Sequence, residues 1–172
     1  MKNIHIILSG ILFFAICFCS LGCGSSRGAS ETMNTPQEQE VIDAVVGYLS
    51  KFLEGKESVK ALTSESFNYI YGTNVPTHGN YGNYCQKLDE FYSDYVMLEC
   101  RLDDAVAISC EDENAMVGGR IYYGYQRIGL GEESSNSENI EIGLIKEGSN
   151  WVVNSISGRN SSGVDFPIKS VP

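Results

Sequence analysis

Tyrosine is the side chain in this sequence whose number and type best suit chemistry. The chain holds ten, including Tyr69, Tyr71, Tyr81, Tyr84, Tyr92, Tyr95, Tyr122, Tyr123 and Tyr125, and a buried phenol can donate a hydrogen bond to developing negative charge. Other reactive types are scarce. His78 is the one histidine beyond the first 22 residues, so a Ser-His-Asp triad or a Cys-His pair would have to be built on it, in a segment without rigid support. Neither a phosphate-cradling G-x-x-x-x-G-K-[ST] nor a dinucleotide G-x-G-x-x-G occurs, and Gly129-Leu130-Gly131 reads as a turn. The acid clusters Asp103-Asp104 and Glu111 to Glu113 lack the spacing and the glycine of a calcium loop, and they read as solvated turns. Cys85, Cys100 and Cys110 contain no C-x-x-C pair, which argues against zinc. No catalytic set, metal or cofactor is expected from these residues.

The strongest local signal is an address. Lys2 precedes an apolar run from Ile6 to Leu21, about 16 residues where a bilayer-spanning helix needs roughly 20, so a cleaved secretion signal is expected over a permanent span. Three cysteines lie near its end, preceded by Ile16, Phe18 and Gly22, and the small residue required before a lipidation site occurs only ahead of Cys23. Ser20-Leu21-Gly22-Cys23 resembles the lipobox of bacterial lipoproteins, with Ser20 where leucine is usual. The resemblance implies a signal peptide over residues 1–22, acylation of Cys23 and anchorage in the cell envelope outside the cytoplasm. Acyl chains contribute about 0.8 kcal/mol per buried methylene, and more than one chain gives stable attachment. Cleavage around Gly24-Ser25-Ser26, releasing a free secreted protein, and an uncleaved anchor are the other readings.

A formal charge of −10 lacks the footprint of a nucleic-acid binder and is repelled by anionic headgroups. The membrane is therefore expected as a partner only through lipid on Cys23, with a protein partner or a homodimer left open and nucleic acid excluded.

Residues 23–34 have almost nothing to bury and read as a tether. Thr35-Pro36-Gln37-Glu38 is a capping box with proline at the first helical position. Val41, Ile42, Val45, Val46, Leu49, Phe52 and Leu53 continue it as the apolar stripe of a helix of about 18 residues, ending at Gly55. Val59, Ala61 and Leu62 suit a short helix, and Ser64 could cap another turn carrying Phe67 and Ile70. Gly72 to Asn83 reads as a long loop holding His78, before a third helix capped by Asn83 with Tyr84, Leu88, Phe91 and Tyr95 on one face. The period then becomes two. Val96, Leu98, Cys100 and Leu102 alternate, Val106, Ile108 and Cys110 resume the parity beyond a turn or bulge at Asp103-Asp104, and Ala115 to Leu130 carries Val117, Ile121, Tyr123 and Tyr125 on one face. A polar loop from Glu132 to Ser137 leads to a strand from Asn139 to Lys146, a turn at Glu147 to Asn150, and a last strand from Trp151 to Ser157. The tail, residues 158–172, is polar and expected to be loose.

An odd number of cysteines after Cys23 fits one disulfide and one free thiol in an oxidising compartment. If the strand after the third helix folds straight back, the helix climbs about 15 Å from Cys85 and the strand returns about 16 Å to Cys100. A Cys85–Cys100 disulfide is expected, with Cys110 as a small buried hydrophobe.

Helices followed by antiparallel strands indicate an α+β fold: a curved antiparallel sheet with N-terminal helices packed on one face, a cone. The order of elements over Thr35 to Ser157, closing on Ile142 to Glu147, a turn and Trp151-Val152-Val153, resembles the nuclear transport factor two-like (cystatin-like) superfamily. It is similar in particular to that group's small bacterial lipoproteins of unknown function. The resemblance implies a cone between helices and sheet which, in the related isomerases and dehydratases, is a pocket where Tyr and Asp do acid–base work. Tyr123 and Tyr125 are the ligand-binding candidates in such a pocket, whereas tyrosines that fill the mouth with hydroxyls in water would be structural. The expected function is that of a membrane-anchored extracytoplasmic binding or interaction module of unknown ligand. The alternative is a small-molecule isomerase or dehydratase-like enzyme. A closed apolar pocket with a buried, unpaired carboxylate of raised pKa favours the enzyme, and a filled cone with an exposed aromatic patch favours the module.

Overall fold

In a computed structural model, residues 34–167 are described, and they build a six-stranded sheet with helices against its concave face. Cys23 and the rest of the N-terminal address lie outside the described residues. Helix α1 (Pro36–Ser50) starts where the capping box places it: Thr35 Oγ1 accepts from Glu38 N at 3.2 Å and Thr35 N donates to the Glu38 carboxylate at 2.6 Å. It buries Val41, Ile42, Val45, Tyr48 and Leu49 and passes into a 3-10 turn at Lys51–Leu53 that buries Phe52. Gly55 follows at φ 111°, a left-handed-side backbone that glycine tolerates, and opens the short α2 (Lys56–Lys60).

The next segment departs from expectation. Thr63–Tyr71 is strand β1, not a helical turn, and Phe67 and Tyr69 alternate into the core. The expected long loop contains β2 (Thr77–Asn80), which pairs antiparallel with β1. Helix α3 (Tyr81–Asp94) is capped by Asn80 three residues earlier than expected, and Asn83 is the reciprocating residue of the box, each side chain bonding the other's backbone at 3.1 Å.

Strands β3 (Tyr95–Cys110), β4 (Asn114–Arg127), β5 (Glu133–Glu147) and β6 (Asn150–Ser157) form an antiparallel meander, and β6 then joins β1 in parallel, giving the order β2-β1-β6-β5-β4-β3. In β3 the more buried residues are Met97, Cys100, Leu102, Ala105, Ala107 and Cys110. Each step of three coincides with a slip in register against β4. These bulges bend the strand, and the middle one, where Asp104 takes φ 53°, is the bulge of the two alternatives expected at Asp103-Asp104. They also divide the expected apolar set: Cys100 and Leu102 face the core, whereas Val96, Leu98, Val106 and Ile108 are about half exposed on the other face.

The expected disulfide is absent. Cys85, Cys100 and Cys110 are free thiols, because the strand does not fold back along α3. Helix α3 lies on β1, with Tyr84 packed on Phe67 and Tyr69, while β3 lies mainly under α1. Cys100 is the buried thiol, opposite Tyr123 in the β3–β4 register, and burial pushes it up to about 12. Cys110 is only partly buried.

Residues 158–167 also correct the expectation of a loose tail. After β6 the chain makes an exposed turn at Arg159–Ser161 and returns with Gly163, Val164, Phe166 and Pro167 buried. Val164 pairs with Tyr71, its N–H donating to Ile70 O and its carbonyl accepting from Gly72 N, both at 3.0 Å.

Two outcomes follow from this packing. Leu49→Ala should destabilise the protein by about 2–5 kcal/mol in urea titrations, as for buried leucines generally, and an effect below about 0.5 kcal/mol would mean that α1 is not docked. Cys85 and Cys110 should react with a thiol reagent in the native protein, and Cys100 only on unfolding.

Candidate functional site

The inward faces of β4 and β5 become polar at one end of the sheet. Tyr123 and Asn136 are directly paired across the two strands, and Glu138, two residues along β5, lies opposite Ile121. All three side chains converge: the Tyr123 hydroxyl accepts from Asn136 Nδ2 at 3.0 Å and donates to Glu138 Oε1 at 3.3 Å. The second carboxylate oxygen, Glu138 Oε2, accepts from Asp165 N at 3.0 Å. The polar cluster is thus tied to the returning C-terminal segment.

The same segment fills the space beside it. The fully buried Phe166 ring lies 4.9 Å from Phe52 and 5.1 Å from Tyr123, and its carbonyl accepts from the Tyr69 hydroxyl at 2.5 Å. Tyr125 is less buried, stacking on Tyr123 at 6.2 Å and meeting Tyr95 edge-on at 5.3 Å. Deeper in, the hydroxyls of Tyr48 and Tyr84 bond each other at 2.7 Å, and the Tyr92 hydroxyl donates to Phe52 O at 2.5 Å. Tyr48, Tyr69, Tyr84 and Tyr123 therefore differ from the expected mouth-filling type: their hydroxyls end on protein groups rather than in water. Among the described residues no buried side-chain nitrogen or oxygen lacks a partner.

Burial raises the pKa of Tyr123 above its ordinary value, and the negative Glu138 adds to the shift; Tyr69 is raised for the same two reasons in the same order. These phenols are neutral donors across the physiological range. Glu138 is the carboxyl of the cluster. Burial is the largest influence and raises its pKa above 4.5, the Asp165 carboxylate raises it further, and the Asp165 and Phe166 N–H groups and the Tyr123 hydroxyl pull it down. The arrangement can hold a proton between a carboxyl and a phenol in partly dry surroundings, or read an N–H with the carboxylate. The carboxylate is paired, with Tyr123 on one oxygen and the Asp165 N–H on the other.

Of the two ligand-binding candidates, Tyr123 is central and Tyr125 peripheral. Glu138 and Asn136 lie ahead of the strand that the sequence predicts from Asn139, Asn136 within the polar stretch from Glu132 to Ser137 that reads as a loop. The available signal was parity: Glu138 shares its face with Ile140, Ile142 and Leu144. His78 is exposed on β2 opposite Ile70, and Asp103, Asp104 and Glu111 to Glu113 are exposed. Among the described residues no three His, Cys, Asp or Glu side chains gather as a metal site.

No protein-family model and no curated protein matches the sequence. Solved structures do match the fold. A nuclear transport factor two-like protein from Cytophaga hutchinsonii aligns with a TM-score of 0.57 at 13% identity, over 73% of this chain and 97% of that one. A ketosteroid isomerase-like protein from Erwinia carotovora gives 0.55 at 12% identity, over 72% and 95%. A candidate scytalone dehydratase from Novosphingobium aromaticivorans gives 0.59 at 11% identity, over 69% and 79%.

The sign of the Glu138 shift can be measured. A carboxyl whose folded pKa is raised gives a contribution to stability that is fully present below the unfolded value near 4.5 and is lost as pH rises through the folded value. Measured against Glu138→Gln, whose side chain does not titrate, wild type should therefore lose urea midpoint as pH rises from 4.5 to 7. A gain over that range would show that the hydrogen bonds outweigh burial.

Proposed function

We propose that this chain, which has the nuclear transport factor two-like cone, is an envelope-anchored lipoprotein whose folded domain binds a partner outside the cytoplasm rather than turning over a substrate. The observation that carries the binding reading is the filled cone. Phe166 occupies the place beside Tyr123 and Glu138 where a small molecule would have to sit, and the phenols around it are bonded to protein groups. The half-exposed Val96, Leu98, Val106 and Ile108 on β3, a strand at the sheet edge, add apolar surface available to a partner. The anchor rests on Gly22-Cys23 and on the polar tether that follows.

The second reading, an isomerase or dehydratase-like enzyme, is supported by the Tyr123–Glu138 contact. The Asp165 N–H already occupies Glu138 Oε2 and the Phe166 ring lies against Tyr123, so a substrate would have to displace this segment to reach both groups together.

Metabolic labelling with palmitate tests the anchor. Wild type should be labelled and membrane-bound, and Cys23→Ala should be unlabelled. Equal labelling of the two would remove the lipoprotein assignment.

A further inference from the structure

The segment Val164–Phe166 is held in the way a protein holds a foreign peptide. Over three residues, four main-chain groups bond to the body of the domain: Val164 N to Ile70 O, Val164 O to Gly72 N, Asp165 N to Glu138 Oε2 and Phe166 O to the Tyr69 hydroxyl. The two alternate side chains, Val164 and Phe166, are buried, and Asp165 between them is only partly so. Main-chain bonds along an extended segment, with sockets for alternate side chains, constitute the β-addition mode of peptide recognition. Little in this contact depends on the segment being covalently attached.

Two features make the chain's own segment an imperfect occupant. The turn that delivers it places Asn160 at φ 58° and Ser161 at φ 57°, both exposed, in the left-handed region that non-glycine residues enter at a cost. It also brings the Asp165 carboxylate beside Glu138, where the two like charges oppose each other. Release would relieve both.

We propose that the cone is a receptor for an extended polypeptide segment of pattern aliphatic-x-aromatic, supplied by another protein, and that Val164–Phe166 is a displaceable self-ligand occupying it in cis. The central residue of a favoured partner is neutral, because Glu138 reads its N–H and repels an acid. This deepens the binding-module reading and rests on it. Tethering gives the self-ligand a high effective concentration, so a free peptide competes at a disadvantage until the cis segment is weakened.

The test uses the full chain and a fluorescent acetyl-Ser-Gly-Val-Asn-Phe-Pro-amide peptide followed by anisotropy. Phe166→Ala, with its own ring removed, should bind this peptide at least tenfold more tightly than wild type does. Replacing the peptide's Phe by Ala should abolish binding, and Asp in place of its Asn should weaken it. Hydrogen exchange on wild type provides a second measurement that needs no variant: the Val164 and Asp165 amides should exchange through local opening, at least tenfold faster than the amides of β4 and β5. Folded Phe166→Ala that ignores the peptide would overturn the proposal, as would strap amides that exchange only with global unfolding. Binding of p-cresol but not of the peptide would reassign the socket to a small aromatic and equally overturn it. Failure here leaves palmitate labelling intact, and failed labelling leaves the titration unaffected, so the two readings fall separately.

Discussion

The interaction on which this structure depends is the seating of the returning segment Val164–Phe166 on the sheet. Helix α1 packs mainly on β3 and helix α3 on β1, and the polar inward ends of β4 and β5 meet Asp165 and Phe166 instead. Bulges in β3 curl its end of the sheet toward α1, and the segment after β6 brings Val164 and Phe166 to cover the rest. The polar groups at that end, Tyr123, Asn136 and Glu138, are covered because the covering segment offers an N–H to the carboxylate. A cover of purely apolar side chains would leave Glu138 buried without one of its donors.

The elements legible in the sequence are those set by local contacts. Thr35-Pro36-Gln37-Glu38 announces α1 because capping is a contact over three residues, and Val117, Ile121, Tyr123 and Tyr125 announce the inner face of β4 because a strand's parity is local. Phe67 and Ile70 were misassigned because a spacing of three suits a helix, while β1 slips register between Thr63 and Asn68, which blurs its alternation. Val96 and Leu98 share parity with Cys100 and Leu102, but one inserted residue moves the first pair to the outer face. Asp103-Asp104 marks the middle bulge within the strand, whereas nothing around Met97–Glu99 marks the first, which shows only in the pairing with β4.

The candidate site was legible by half. Tyr123 stood out by residue type, and Glu138 could be placed only once β5 was known to start at Glu133. The groups Phe166 meets, Phe52, Tyr69 and Tyr123, are far from it in sequence, and its alternation with Val164 is too short to stand out beside the polar stretch from Gly158 to Gly163. The absent disulfide has the same origin: Cys85 and Cys100 lie close in sequence, but their helix and strand diverge to different neighbours.

The parallel pairing of β1 with β6 bears on the order in which the molecule can be made. Thr63 lies beside Val153 and Tyr69 beside Ile156, so the first strand of the sheet has its inner neighbour only when the last strand arrives. Until then β1 can pair only with the four-residue β2, and the β3–β5 meander can form without it. Such sequence-distant closure is costly in chain entropy and slows folding. Synthesis from the N-terminus therefore leaves the sheet incomplete until β6 has been made, and an unfinished sheet of this kind is the state in which a polypeptide can still be threaded through a narrow passage.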